Sequence, residues 1–114
     1  VIEDDVPTQQ ALKVLLESEA LEVRTVRDGN DALAAVKNFD PHLVLMDWRV
    51  PGLAGVQLCR RIRRRRHPPP IIIVSSADEA FSTEADVVAR LRKPVDPRRL
   101  TAAVAAQILH SNDH

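Results

Sequence analysis

Leu43-Val44-Leu45-Met46-Asp47 is an apolar run closed by a carboxylate, and Ile71-Ile72-Ile73-Val74-Ser75 is another closed by a hydroxyl. Short runs without polar alternation suit strands buried on both faces, as in a parallel sheet covered by helices. Working outward, helices and strands alternate around them. Val1-Ile2 reads as the end of a strand. Ala11, Leu12, Leu15 and Leu16 then recur at helical spacing, with Pro7 suited to the first turn. Residues 22–26 read as a short strand, Asp28-Gly29 as a turn and residues 31–39 as a second helix, which Asp40-Pro41 breaks. A third helix is expected over residues 56–66, where Val56, Cys59 and Ile62 face inward and Pro68-Pro69-Pro70 stops it. A weak helix over 79–85, a last strand over 87–91 and a final helix over 98–109 complete five strands alternating with five helices. Such alternation implies a three-layer α/β sandwich. Right-handed crossovers place every strand's carboxyl end on one edge, where open sheets of this kind bind ligands.

The whole chain, 1–114, reads as one domain. Its 114 residues suit a single core, and it is 45% hydrophobic and 28% charged. Sixteen basic and sixteen acidic residues cancel, which argues against binding nucleic acid by bulk charge. One cysteine excludes an internal disulfide framework and a cysteine-based zinc cluster. No apolar run approaches the roughly 18 residues of a membrane span, and no signal peptide opens the chain. Val1 falls inside a strand, which predicts a piece cut from a longer protein.

The residues that end the strands carry the chemistry. They are Glu3-Asp4-Asp5, then Asp47, then Ser75, then Lys93 beside Pro94. Converging carboxylates repel one another unless a cation joins them. Carboxylate oxygens suit magnesium, which keeps several waters and leaves room for a phosphoryl oxygen. A carboxylate can itself accept a phosphoryl group as an acyl phosphate, and Asp47 is the central candidate. Lys93 and the Ser75 hydroxyl would then neutralise and bind phosphoryl oxygens. Taken singly, each residue has a plainer reading: Asp47 as a turn or cap, Ser75 as a helix cap, Lys93-Pro94 as a loop. The ordered set at successive strand ends favours the site.

These residues resemble a known family. Val1-Ile2-Glu3-Asp4-Asp5, Leu43 through Gly52, Ile73-Val74-Ser75-Ser76-Ala77 and Leu91-Arg92-Lys93-Pro94 are similar to the motifs of response regulator receiver domains, over essentially the whole chain. The resemblance implies a flavodoxin-like (βα)5 fold with a five-stranded parallel sheet in the order 2-1-3-4-5. It implies that Asp47 is the phospho-acceptor and that Asp4 binds Mg2+ directly. Glu3 would act on the metal through water, and the Arg49 backbone carbonyl would be a further ligand. Ser75 would be the switch hydroxyl and Lys93 the phosphoryl-pairing amine, aimed by a cis bond to Pro94. The implied partner is a sensor histidine kinase or a histidine phosphotransfer protein. The domain would be cytoplasmic, bind neither membrane nor nucleic acid itself, and is compatible with a homodimer. It would be a signalling domain rather than a turnover enzyme, switching between states a few kcal/mol apart.

Three features depart from that family. Ser75 and Lys93 lie about one helical turn closer than expected, so the fourth helix is expected to be short or mobile. Arg90 stands three residues before Lys93, where the family carries an aromatic. The first strand begins at Val1. Two alternatives stand beside the receiver. One is a phosphorylation-independent scaffold. The other is a phosphohydrolase of the haloacid dehalogenase type, against which Arg49 stands where a second acid belongs. Elsewhere, Arg60, Arg61 and Arg63 to Arg66 read first as the solvated end of the third helix, with nucleic-acid and acidic-partner surfaces as the functional readings. Cys59 reads as a small buried hydrophobe, Trp48 as a reporter at the site mouth, and the four histidines as surface residues.

Overall fold

The computed structural model describes residues 1–49, 51–52, 55–76 and 87–112. In chain order the elements are α1 (Val6–Glu17), α2 (Gly29–Phe39), β1 (Val44–Asp47), α3 (Gly55–Arg63), β2 (Ile71–Ser75), β3 (Ala89–Arg92) and α4 (Pro97–Asn112). The helix expected over 79–85 lies outside the described residues. Among those described, no helix is long and apolar enough to cross a membrane.

The two apolar runs form the centre of the sheet. β1 pairs with β2 in parallel, with Val44 opposite Ile71 and Asp47 opposite Val74. β2 pairs with β3 in parallel, with Ser75 opposite Arg92. Ile2 forms parallel bridges to both Val26 and Met46. The five segments therefore lie side by side in the order expected, but the first two are single bridges rather than ladders. The reason is that only Val1 to Glu3 meet Val26, through Val26 N–H to Val1 O at 2.9 Å and Glu3 N–H to Val26 O at 3.0 Å. Other boundaries move too: α2 starts at Gly29, where a turn was expected, and α4 runs on to Asn112. α3 ends at Arg63, after which Arg64 and Arg65 tighten into i→i+3 bonds to Arg61 and Ile62. β3 starts at Ala89, two residues later than expected.

Alternate residues of the buried strands pack on opposite layers, as a pleat requires. Val44, Met46, Ile71 and Ile73 meet Ala32 and Val36 of α2 and Leu58, Cys59 and Ile62 of α3. Leu45, Ile72 and Val74 meet Leu12 and Leu16 of α1 and Leu100 and Val104 of α4. Fully burying an isoleucine of this kind contributes about 1.5–3 kcal/mol. Cys59 is buried against the Met46 sulfur, and burial pushes its thiol up to about 11, as expected of an unreactive filler.

Local chemistry sets the helix ends. The Asp5 carboxylate accepts from Thr8 N–H and caps α1. Asp28 caps α2 through Asp31 N–H at 2.8 Å. Asp40 ends α2 in the left-handed region at φ 52°, its N–H returning to Val36 O. That conformation, followed by Pro41, turns the chain into β1.

Candidate functional site

The carboxyl ends of the strands meet where the register places them. Asp47 closes β1, Ser75 closes β2, and Lys93 follows β3 directly. Glu3 and Asp4 follow Ile2, which is hydrogen-bonded between Leu45 O and Asp47 N–H. Backbone bonds from Trp48 N–H to Val74 O at 3.0 Å and from Lys93 N–H to Ser75 O at 2.7 Å tie the rim together. The Lys93-Pro94 bond is cis, as the resemblance implies.

The Lys93 ammonium bridges two carboxylates, donating to Asp47 Oδ2 at 2.7 Å and to Glu3 Oε1 at 3.0 Å. The other Asp47 oxygen, Oδ1, accepts from the Arg49 backbone N–H at 3.0 Å. Glu3, Asp4 and Asp47 offer carboxylate oxygens within 4.8 Å of one another. Their exposures differ sharply, since Glu3 and Asp47 are buried while Asp4 faces solvent. Three convergent carboxylate oxygens with one exposed approach fit a hard divalent cation that keeps part of its water shell.

Burial and contact decide the protonation states. Burial pushes Glu3 up to about 7, a hydrogen bond to Asp47 adds to the rise, and Lys93 opposes it. Burial also pushes Asp47 upward, but its bonds to Glu3, Lys93 and the Arg49 N–H outweigh that and hold it below the usual carboxylate range. Burial alone would lower Lys93, and its bonds to Asp47 and Glu3 outweigh that and raise it. Asp47 is therefore the more readily ionised of the two carboxylates, beside a charged Lys93, and Glu3 is the one that burial favours in its protonated form.

Ser75 is fully buried, and its Oγ finds no hydrogen-bond partner among the described residues. A buried hydroxyl without a partner costs about 1–3 kcal/mol. It sits at the strand end next to Asp47, where an incoming oxygen would satisfy it.

Six sequence-derived candidates, Glu3, Asp4, Asp47, Arg49, Ser75 and Lys93, thus come to one rim. Asp5 does not join the cluster, because capping α1 uses its carboxylate. Sequence reasoning missed Gln9. Its side-chain amide donates to Glu3 O at 3.1 Å and to Val26 O at 3.2 Å, pinning the backbone that presents Glu3. Its signal was available, since Gln9 shares the buried stripe of α1 with Leu12 and Leu16. Trp48 is half-buried against the α2–α3 core. It lies so close to Gly55 that a Cβ there would stand 2.7 Å from Trp48 Cε3, so only glycine fits. Arg90 is exposed on β3.

Comparison with known proteins agrees with this geometry. Residues 1–105 match the family described as the response regulator receiver domain. The DNA-binding response regulator MtrA of Mycobacterium tuberculosis is 29% identical over 116 residues, covering 99% of this chain and 51% of that protein. The chain thus spans about half the length of the curated relatives it matches most fully. The receiver domain of sensor histidine kinase PA1611 from Pseudomonas aeruginosa was solved with a magnesium ion coordinated in its active site cleft. It superposes with a TM-score of 0.85 at 26% identity, covering 94% of this chain and 93% of that one. The receiver domain of the Francisella response regulator 1452 superposes equally well, with a TM-score of 0.85 at 25% identity over 96% of this chain and 94% of its own.

Two outcomes follow from the site. Ser75→Ala removes an unsatisfied buried hydroxyl with little loss of volume, so it should stabilise the protein by about 1 kcal/mol in urea unfolding. A loss of that size instead would show that the hydroxyl is already paired. The second concerns pH. Glu3 keeps its proton to about 7 in the folded chain, against 4.5 for a free carboxyl. The stability this contributes is present in full below 4.5 and lost as the pH rises through about 7. Asp47 has the opposite sign, contributing above 3.8 and losing its contribution only in stronger acid. In chelator, wild type should therefore lose up to about 3 kcal/mol relative to Glu3→Gln between about pH 5 and 8, read by Trp48 emission during urea unfolding. Parallel curves for the two proteins would contradict the assignment of the proton.

Proposed function

The chain belongs to the response regulator receiver domain family, signalling domains of two-component systems, and from that premise we propose that Asp47 accepts the phosphoryl group. The observation that carries this reading is the Lys93 ammonium held 2.7 Å from Asp47 Oδ2 across the sheet. It keeps the carboxylate ionised, and it is already placed to pair with an oxygen of a phosphoryl group added there.

The phosphoryl donor is a phosphohistidine on a sensor kinase or a histidine phosphotransfer protein. A carboxylate oxygen of Asp47 attacks phosphorus while the P–N bond breaks. The electron pair of that bond stays on the imidazole nitrogen, which takes up a proton from water. Lys93 moves its hydrogen bond from the Asp47 carboxylate to a phosphoryl oxygen. Ser75 Oγ donates to another. Burial of Glu3, Asp47 and Ser75 at the rim strengthens each of these contacts by limiting water. Asp4, Asp47 and the Arg49 carbonyl would hold Mg2+, with Glu3 acting on it through water, and the ion would supply neutralisation of the phosphoryl charge.

The product carries nearly two negative charges at Asp47. Lys93 and Ser75 both follow that charge, and both are tied by the Lys93 N–H to Ser75 O bond to the ends of β2 and β3. Phosphorylation therefore shifts the surface at this edge of the sheet, which is the switch. No aromatic stands at Arg90 to report the Ser75 movement, so coupling runs through the backbone of these two strands.

Incubation with acetyl phosphate and Mg2+ should add one phosphoryl group, seen by intact-mass spectrometry. The adduct should be absent in Asp47→Asn, and Lys93→Ala should slow its formation roughly a hundredfold. An adduct of undiminished yield in Asp47→Asn would move the acceptor elsewhere.

A further inference from the structure

Between Asp47 and Asp78 the chain carries seven arginines and no carboxylate, although the chain as a whole is neutral. Six of these arginines fall in the seven positions from Arg60 to Arg66, over the last turn of α3 and the turn after it. Arg61, Arg64 and Arg66 are exposed, as are Arg60 and Arg63, each of which already makes an interaction of its own. Arg65 is half-buried and reaches Asp40 Oδ1 at 3.4 Å, beyond the end of α2. We propose that this arginine face is a docking surface for an acidic, extended segment of a partner protein.

Helix capping does not explain the density. The carboxyl end of a helix presents about half a negative charge, which one or two cations answer. Arg60 and Arg64 are a like-charge i,i+4 pair, which is destabilising in an isolated helix. Seven residues near helical rise span about 10 Å, close to one Debye length in physiological salt, so the guanidinium fields reinforce one another. Every cation in the run is arginine rather than lysine. A guanidinium offers a planar fork that matches a carboxylate with two parallel hydrogen bonds.

The shape and composition of this face favour a carboxylate-bearing peptide over nucleic acid. A duplex continues its charge in both directions, whereas this face is about 10 Å long and is bordered by Asp40. The run contains no aromatic residue on which a base could stack. A short acidic strand needs neither feature. The surface is also separate from Asp47. α3 starts beside Trp48 and carries the arginines toward the opposite edge of the sheet, where Pro68-Pro69-Pro70 leads into the first residue of β2. β2 spans five residues, roughly 15 Å of strand, so a partner on the arginines leaves the carboxylate rim open.

The test is fluorescence anisotropy at physiological ionic strength, with a labelled polyglutamate peptide and, separately, a labelled oligothymidylate of the same length. Wild type should bind the peptide saturably and more tightly than the oligonucleotide. The combined variant Arg61→Gln, Arg64→Gln and Arg66→Gln should bind about eightfold more weakly, as three exposed ion pairs worth roughly a factor of two each would predict. Lys13→Gln, on α1, should bind as wild type does. Acetyl phosphate labelling of Asp47 should survive in the combined variant, which separates loss of docking from loss of fold. If the combined variant fails to fold, Arg61→Gln and Arg66→Gln singly should each weaken binding about twofold. The proposal is overturned if the oligonucleotide binds as tightly as the peptide, if neither binds, or if the arginine variants bind like wild type.

Discussion

Everything at the carboxyl edge depends on one ammonium. Lys93 joins Asp47 and Glu3, residues delivered by β1 and by the segment after Ile2, while its own backbone N–H holds Ser75 O on β2. Without that cation, two buried carboxylates would face each other in a site too dry to ionise both. With it, Asp47 is held ionised and Glu3 is the carboxyl that burial favours protonated. The same cation shapes the product state, because any phosphoryl group on Asp47 inherits a partner already in place. The buried Ser75 hydroxyl is the complementary part. It has no hydrogen-bond partner among the described residues, and an added oxygen would supply one.

The layers and the site were legible in the sequence for one physical reason. Strands buried on both faces must be written as unbroken apolar runs, and Leu43 to Met46 and Ile71 to Val74 are such runs. Once they are seen, the residues that close them are the candidate site. What the sequence obscured was local pairing. Nothing in residues 22–26 shows that Val26 alone would bridge Ile2, because strand length depends on how much partner is alongside. The end of α3 was hidden because arginine has good helix propensity, so six of them do not mark a boundary. Gln9 was overlooked because a polar residue near a helix start reads as solvated until its two carbonyl partners, from distant segments, are known. The difference in burial between Glu3 and Asp4 also needed coordinates. Neighbouring acids look alike in sequence, yet one is buried and the other exposed.

The neutral total conceals two charged poles. Carboxylates gather where the strands end, and arginines gather at the far end of α3. On the reading proposed above, the first pole would do phosphoryl chemistry, and the second would choose company without touching it. A domain arranged this way can keep a constant partner and a changing phosphorylation state on separate surfaces.

The most direct test of the account uses Trp48, half-buried beside Asp47 and pressed against Gly55. Its emission would be followed while beryllofluoride, an acyl-phosphate mimic, is added in the presence of Mg2+ to wild type and to Asp47→Ala. The account predicts a saturable change in wild type that is absent in Asp47→Ala. An identical change in both proteins would mean that the mimic binds away from Asp47 and that the Lys93-centred site is not the phosphoryl site.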